Sequence, residues 1–392
     1  MLKKLIVVTA VLALITGTAF AQVTIGGQLQ QGMTLIEGNN VKESGVTSGS
    51  SYMGSFNHEA KFSFLFGDGK AGGRLVWTLN SQAMWGWLQW RPNQYFRVKV
   101  GSDGDGEWGF PQIAGWGFTG EAKNSVAAVN DWGGGMYMSY RNIGLNYGGF
   151  DGAGAYHLGL SAWPVDMLQL NLLFRDIDKS MPLPERLAKL QFIVIGTIEE
   201  VGTIRFAAVG EGGLMKDAAD GDDLGNLFLA FHSASIVQGL GFEVGLRWDP
   251  PRKGDIKNKN EDKTFDNFNI GFGLNLTKTD PFNLKIRGNV GFAGKNAGET
   301  RNATFGFHVL PSYKLPKLTI FFHAGVGMEF VKDPKPNQDK VNYEFFLNPY
   351  IWVPMGGMRM WVGFQFLDDH RARQDDKFQF KWRIPFGFNF YF

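Results

Sequence analysis

The side chains best placed to do chemistry in this sequence are cations spaced two apart: Arg97 and Lys99, Lys285 and Arg287, Lys381 and Arg383. On an extended chain, residues i and i+2 share a face. Each pair therefore sets two positive charges side by side, an arrangement that attracts anions and does not suit covalent catalysis. The residues that covalent or metal chemistry needs are missing or badly spaced. There is no cysteine, which excludes thiolate nucleophiles, thiolate metal sites and disulfides. No P-loop, zincin or catalytic-triad spacing occurs. His232 and Ser233 are adjacent and would point to opposite faces of a strand. Asp103, Asp105 and Glu107 begin like a calcium loop, but the position that would supply its closing glutamate is Ala114. These features predict no catalytic residue, no metal and no cofactor.

The elements that carry the cations are read from the flanking residues. The chain has 392 residues, with 53 glycines, 35 phenylalanines and 19% charged residues; its mean hydropathy is −0.15. Glycine and aromatics in excess with few charges fit an all-β protein, and the aromatic content argues against disorder. In the last segment Phe378, Phe380, Trp382, Ile384, Phe386, Phe388, Phe390 and Phe392 alternate with Gln379, Lys381, Arg383, Pro385, Gly387, Asn389 and Tyr391. That apolar face is far longer than the ~5–6 residues of an ordinary strand. The same period of two returns at 267–277, at 282–292 and at 317–330, where Phe321 is the one exception, and Val23, Ile25, Leu29 and Met33 open the series. The alternate faces are mostly polar or glycine. A barrel in lipid wants this pattern, apolar outside and polar toward its lumen.

At the N-terminus, Lys3 and Lys4 precede an uncharged apolar run, Leu5 to Ile15, and Ala19-Phe20-Ala21 forms a small-x-small cleavage site. Residues 1–21 are therefore expected to be a cleaved secretory signal, the run being too short to span a bilayer as a helix. Lys3 and Lys4 belong to that segment, so the remaining chain, from 39 basic and 37 acidic residues in all, is neutral and gives no reason to expect a nucleic-acid partner.

The cleaved leader, the serial amphipathic strands, the lack of cysteine and the final Gly387-Phe388-Asn389-Phe390-Tyr391-Phe392 resemble the bacterial outer-membrane β-barrel family, in particular its porin-like members. The resemblance covers residues 22–392 at the level of class. It implies a closed up-and-down antiparallel transmembrane barrel, eighteen strands being favoured with sixteen and twenty open. It also implies outer-membrane lipid as surroundings, small solutes as cargo, and an assembly machinery that reads the terminal aromatics Phe390 and Phe392; homo-oligomerisation is left open. Short turns are expected at 67–70, 91–94, 163–166, 199–202, 279–281, 314–317 and 354–357. Longer loops are expected at 36–56, 102–132, 176–188, 211–223, 249–263, 294–301, 332–341 and 368–376. Strand parity directs Lys61, Arg74, Arg97, Lys99, Arg205, Arg247, Lys285, Arg287, Lys317, Arg359, Lys381 and Arg383 into the lumen, against the acids Glu59, Glu243, Glu329 and Glu344. Such a lining favours anions.

The segment 102–132 repeats Trp108-Gly109-Phe110 as Trp116-Gly117-Phe118. By the same resemblance it is a candidate constriction within the lumen, a loop on the outer rim being the alternative. Trp77, Trp85, Trp87, Trp90, Trp352 and Trp361 are read as an interfacial aromatic girdle, with an aromatic sugar track inside the lumen as the sharper alternative. Outer-membrane phospholipases carry His-x-Ser on a strand, and none of the six histidines has a serine two residues on. The expected function is passive diffusion of small hydrophilic solutes with a preference for anions. A surface adhesin or structural barrel, or a channel specific for sugars or hydrophobic solutes, are the rivals.

Overall fold

The computed structural model describes residues 23–39, 51–67, 70–78, 83–101, 157–175, 190–209, 226–249, 267–276, 280–293, 302–330, 340–369 and 380–392. They form nineteen strands in one antiparallel sheet. The chain opens with β1 (Thr24–Asn39) and continues through the hairpins β2 (Ser51–Gly67) with β3 (Ala71–Thr78), and β4 (Ala83–Asn93) with β5 (Phe96–Gly101). Next come β6 (His157–Val165) with β7 (Leu168–Arg175), β8 (Leu190–Ile198) with β9 (Gly202–Val209), and β10 (Asn226–Val237) with β11 (Leu240–Asp249). The last part holds β12 (Asn267–Leu276) with β13 (Phe282–Ala293), β14 (Asn302–Lys314) with β15 (Thr319–Phe330), and β16 (Val341–Met355) with β17 (Met358–Gly363) and β18 (Gln365–Asp369), before β19 (Phe380–Tyr391). β17 and β18 both pair with β16 on one side and β19 on the other. They are two halves of one crossing interrupted at Phe364, so nineteen strands make eighteen crossings.

Apart from β17 and β18, which share one crossing and do not pair with each other, every strand pairs with its neighbours in sequence, and β1 pairs with both β2 and β19. The ring of pairings is therefore closed. At the seam Gly27 N–H donates to the Phe392 carbonyl and Phe392 N–H donates to the Gly27 carbonyl, at 2.8 and 3.2 Å. The Phe392 ring lies over Gly27, in the space a Cβ would need, and meets Phe62 edge-on with centroids 5.7 Å apart.

Closure gives each strand an outer and an inner face, and the burial separates them. Ile25, Leu29, Trp77, Leu88, Trp90, Val100, Leu229, Val244, Ile270 and Val290 are exposed apolar residues on one face; Lys99, Glu243 and Lys285 are buried on the other. Alternation thus has the sense read from the sequence. Phe321, the exception in its run, sits on the inner face opposite Ser312 and Tyr350, where it is buried.

The short turns fall where expected or within a residue or two, with a further one at Gln238-Gly239, where Gly239 takes a φ of 85° that a side chain would strain. Within 71–101 the chain makes three strands, β3, β4 and β5. β1 and β2 run well into the loop expected at 36–56. The leader at 1–21 and the segment 102–132 lie outside the described residues.

The inner face departs from the polar expectation between β7 and β10. Leu173, Ile193, Ile195, Ala207, Phe228 and Ala230 form an apolar strip there, buried to between 0% and 8% relative exposure. Small and large apolar side chains alternate along its cross-strand rows, Ala207 opposite Ile193 and Phe228, so they fill one another's space.

Two measurements check this frame. An arginine on the outer face at mid-strand should cost about 2–4 kcal/mol. Ile286→Arg should therefore lower the urea midpoint of the refolded barrel strongly, while Arg287→Ile, one residue along, is tolerated; equal costs would mean that the parity of β13 is reversed. At the seam, Phe392→Ala removes the ring that covers Gly27 and meets Phe62. It should cost about 1 kcal/mol, read as a lower temperature at which the compact band on a gel is lost.

Candidate functional site

Four residues in one cross-strand row build the best-defined part of the inner wall. Arg97 of β5 lies opposite Ser161 of β6, Ser161 opposite Asn171 of β7, and Asn171 opposite Ile193 of β8. Their side chains connect along that row. Arg97 Nη2 donates to Ser161 Oγ at 3.2 Å, and Ser161 Oγ donates to Asn171 Oδ1 at 2.8 Å. Asn171 Oδ1 also accepts from Gln169 Nε2 at 2.8 Å, and Asn171 Nδ2 donates to the Ile193 carbonyl at 3.3 Å. With both ends of the amide engaged, Asn171 has one orientation. It holds the serine hydroxyl so that its lone pair faces the guanidinium.

Aromatic rings hold the cations from the other side. Trp163 lies with its ring centroid 4.7 Å from the Arg91 guanidinium carbon and 5.2 Å from that of Arg97. Lys99, nearly fully buried, sets its Nζ 4.4 Å from the Trp87 centroid. Each such contact contributes about 0.5–2 kcal/mol, more as water is excluded. Glycine makes the room: Lys99 is opposite Gly159, and Trp87 opposite Gly101. Arg74 lies opposite Trp87 on the next strand.

Arg91 and Trp163 arrive by the same device. The β4–β5 register shifts between Trp90 and Asn93, and the β6–β7 register between Ala162 and Val165. Each bulge contains a proline, Pro92 or Pro164, whose missing N–H a bulge accommodates. Bulges redirect side chains, and these two, on adjacent hairpins tied by Trp163 N–H donating to the Tyr95 carbonyl, bring a cation and an indole together.

A second cluster stands on the wall formed by β14 to β19. Phe321 stacks on Tyr350 at 4.6 Å and 8° and meets Trp352 edge-on at 4.8 Å. Arg359 lies 5.0 Å from the Trp352 centroid and 5.7 Å from that of Tyr391. Trp361 and Leu310 are buried beside them.

Of the expected lumen cations, Arg74, Arg97, Lys99, Arg205, Lys285 and Arg359 take inner-face positions. Arg247, Arg287, Lys381 and Arg383 hold inner-row register positions, opposite Asn269, His308, Asn39 and Glu37 respectively. Lys61 pairs with Gln28 and Thr78 in the same sense. Lys317 does not belong with them. It lies in the β14–β15 turn and is exposed, because the strand stops at Lys314 and resumes only at Thr319. Among the acids, Glu243 is buried on the inner face opposite His232. Trp108, Phe110, Trp116 and Phe118 lie outside the described residues.

The tryptophans divide. Trp77 and Trp90 are exposed on the outer face, consistent with a girdle, whereas Trp87, Trp352 and Trp361 face inward and the girdle reading fails for them. The register decides this, since Trp87 is in phase with Arg74 and Gly101, and Trp352 with Trp361. Arg91 and Trp163 were missed as site residues, since Arg-Pro and Trp-Pro read as turns. Their phase with Gln89 and with Ser161 was the available signal. Among the described residues, no three His, Asp or Glu stand close enough together to hold a metal.

No protein-family model and no curated protein matches this sequence. The fold is similar to that of an anion-selective porin from Comamonas acidovorans, 11% identical, with 95% of this chain and all of that one aligned at a TM-score of 0.50. It is similar also to OccK10 of Pseudomonas aeruginosa, 9% identical, covering 94% of this chain and 98% of that one at a TM-score of 0.50. At such identities the likeness is one of fold. The chain has the fold of the porin-like outer-membrane β-barrels.

The hydrogen-bonded row generates a stability prediction. Asn171→Leu keeps the volume but strands the serine hydroxyl, the Gln169 amide and the Ile193 carbonyl. It should cost about 1–3 kcal/mol, measured by urea unfolding in detergent, and Ser161→Ala should cost less, since it removes one link only. Equal stability of Asn171→Leu and the parent would mean that the row carries no load.

Proposed function

We propose that this protein is an outer-membrane channel through which small hydrophilic solutes diffuse, with a preference for anions. The observation that carries the reading is the inner wall of β3 to β7, where Arg74, Arg91, Arg97 and Lys99 stand in consecutive rows and three of them rest on tryptophan rings. A closed ring of eighteen crossings is too wide for side chains to fill, which supports a water-filled lumen beside this wall, in which Arg97 and Lys99 are themselves buried. Their density supports attraction of anions into a confined space where screening is incomplete, the Debye length being about 8 Å at physiological salt. The apolar outer face supports placement in a lipid bilayer, and the fold supports the bacterial outer membrane as that bilayer. The assembly machinery is the expected reader of Phe390 and Phe392. Nothing in the wall chemistry calls for catalysis, and the chain is read as a channel rather than an enzyme.

The test is electrical. Purified barrel in planar bilayers under a potassium chloride gradient should conduct, with a reversal potential of anionic sign. The double variant Arg97→Glu, Lys99→Glu should move that potential toward cation preference. A conducting barrel whose selectivity ignores the double reversal would place its governing charges elsewhere. A barrel that does not conduct would favour the adhesin or structural reading.

A further inference from the structure

Two prolines stand in mid-strand near the seam, Pro349 in β16 and Pro385 in β19. Between them lies Phe364, where β17 has stopped and β18 has not begun. The register fixes what each proline removes. The β16 pairings pass from β17 to β18 without a shift, with Tyr350 opposite Gly363 and Leu347 opposite Phe366. Pro349 is therefore opposite Phe364. Phe364 N–H donates to the Pro349 carbonyl at 2.9 Å, so the two form a pair of the kind that exchanges two bonds. The return bond to the Phe364 carbonyl has no donor, because a proline nitrogen carries no hydrogen. On the other side, Val362 opposite Phe386 and Gln365 opposite Arg383 set Gly363 opposite Pro385. Tyr391 N–H donates to the Gly357 carbonyl at 3.1 Å, so the odd-numbered residues of β19 aim their peptide groups at β17 and β18. Pro385 is one of them, and the Gly363 carbonyl also lacks its ladder donor. One strand further, the β1–β19 register shifts between Thr34 and Ile36, opposite Pro385 and Ile384. Four adjacent crossings are thus irregular at one height.

What holds a sheet together in hydrocarbon is the cost of leaving peptide groups unpaired. Elsewhere in this ring, parting two strands breaks both bonds of every exchanging pair. At Pro349–Phe364 and at Gly363–Pro385 at most one bond of each pair exists to be broken. The surroundings of the row are apolar on both faces. Gly363 closes on Tyr350, so that a Cβ at residue 363 would lie 2.8 Å from the Tyr350 Cβ, and Tyr350 is stacked on Phe321. On the outer face Phe364 stacks on Trp382 at 6.3 Å and 24°, and Phe345 meets Phe366 at 6.3 Å. A hydrocarbon chain asks for no hydrogen bond and fits between such rings. We propose that the row through Pro349, Phe364 and Pro385 is a lateral opening in the wall. There the β17/β18 crossing parts from its neighbours, and an acyl chain of the surrounding lipid enters between the strands as far as the aromatic cluster behind them. The opening is independent of the anion preference and of conduction along the barrel axis.

Two measurements on the barrel in lipid nanodiscs test this, one for the opening and one for the entry. In hydrogen–deuterium exchange, residues 358–369 should exchange faster than residues 282–293, where β13 pairs without a break from Phe282 to Ala293. The double variant Pro349→Val, Pro385→Val supplies both missing donors. It should slow exchange over 358–369 by up to about tenfold for each bond restored and raise the urea midpoint. For the entry, the nanodiscs carry a phospholipid with a diazirine near the end of one acyl chain. Irradiation of the parent should label the inner-face residues Tyr350 and Phe321 as well as the outer-face residues Phe345 and Ile270. The double variant should keep the outer label and lose the inner one. Should valine at these positions hinder assembly, Pro349→Ala with Pro385→Ala restores the same donors with less bulk and should behave alike. Exchange over 358–369 as slow as over 282–293 in the parent would overturn the opening, as would exchange that both restored variants leave unchanged. Label confined to the outer face of the parent would overturn the entry of lipid. Planar-bilayer conduction tests the channel alone, so the two readings fail separately.

Discussion

Peptide N–H and C=O groups in hydrocarbon have no water to bond, and the cost of leaving them unpaired is several kcal/mol for each. The rest of this structure follows from that constraint. It requires that no strand have a free edge, so β1 must find β19, and the join is made by reciprocal hydrogen bonds between Gly27 and Phe392. Gly27 is a glycine because the Phe392 ring takes the place of its side chain. Some irregularities fall where pairing can spare them, whereas β1 shifts register in mid-strand, between Gly32 and Met33 and between Thr34 and Ile36. The bulges with Pro92 and Pro164 lie beside turns, and the interruption at Phe364 is bridged by its own N–H donating to the Pro349 carbonyl at 2.9 Å.

Once the ring is closed, its inner face becomes a separate problem in solvation. The wall solves it differently by sector. From β3 to β7, cations rest on indoles and on a chain of hydroxyl and amide groups. From β7 to β10, an apolar strip lies along the surface, with Arg205 in its rows between Ile195 and Ala230. From β11 to β15 the row Gly245, Gly271, Asn289, Gly306, Gly327 carries almost no side-chain bulk, so the wall recedes there.

The fold was legible in the sequence because lipid enforces a period of two on every strand, and the period survives one strand at a time. Phe378 to Phe392, Phe282 to Phe292 and the run ending at Phe330 each declared their faces without help from the others. The cations Arg97, Lys99 and Lys285 were readable for the same reason, being in phase with strands whose outer residues are apolar. The sequence also determined what chemistry was absent, since no arrangement of this chain makes a thiolate.

Only the tertiary structure decided what each inward residue touches. Arg91 and Trp163 stand beside prolines that signal turns, and their meeting depends on two bulges falling in adjacent hairpins, a matter of register between strands some seventy residues apart in sequence. Lys317 has the parity of a lumen residue and lies in a turn, because parity says which way a strand residue points but not where the strand stops. The same holds for Phe321, an intruder by pattern and a stacking partner of Tyr350 in space. The physical reason is common to all of them. Which face a residue takes is a local property of extended chain, whereas its neighbours on that face come from other strands, and closure of the ring alone brings those strands together.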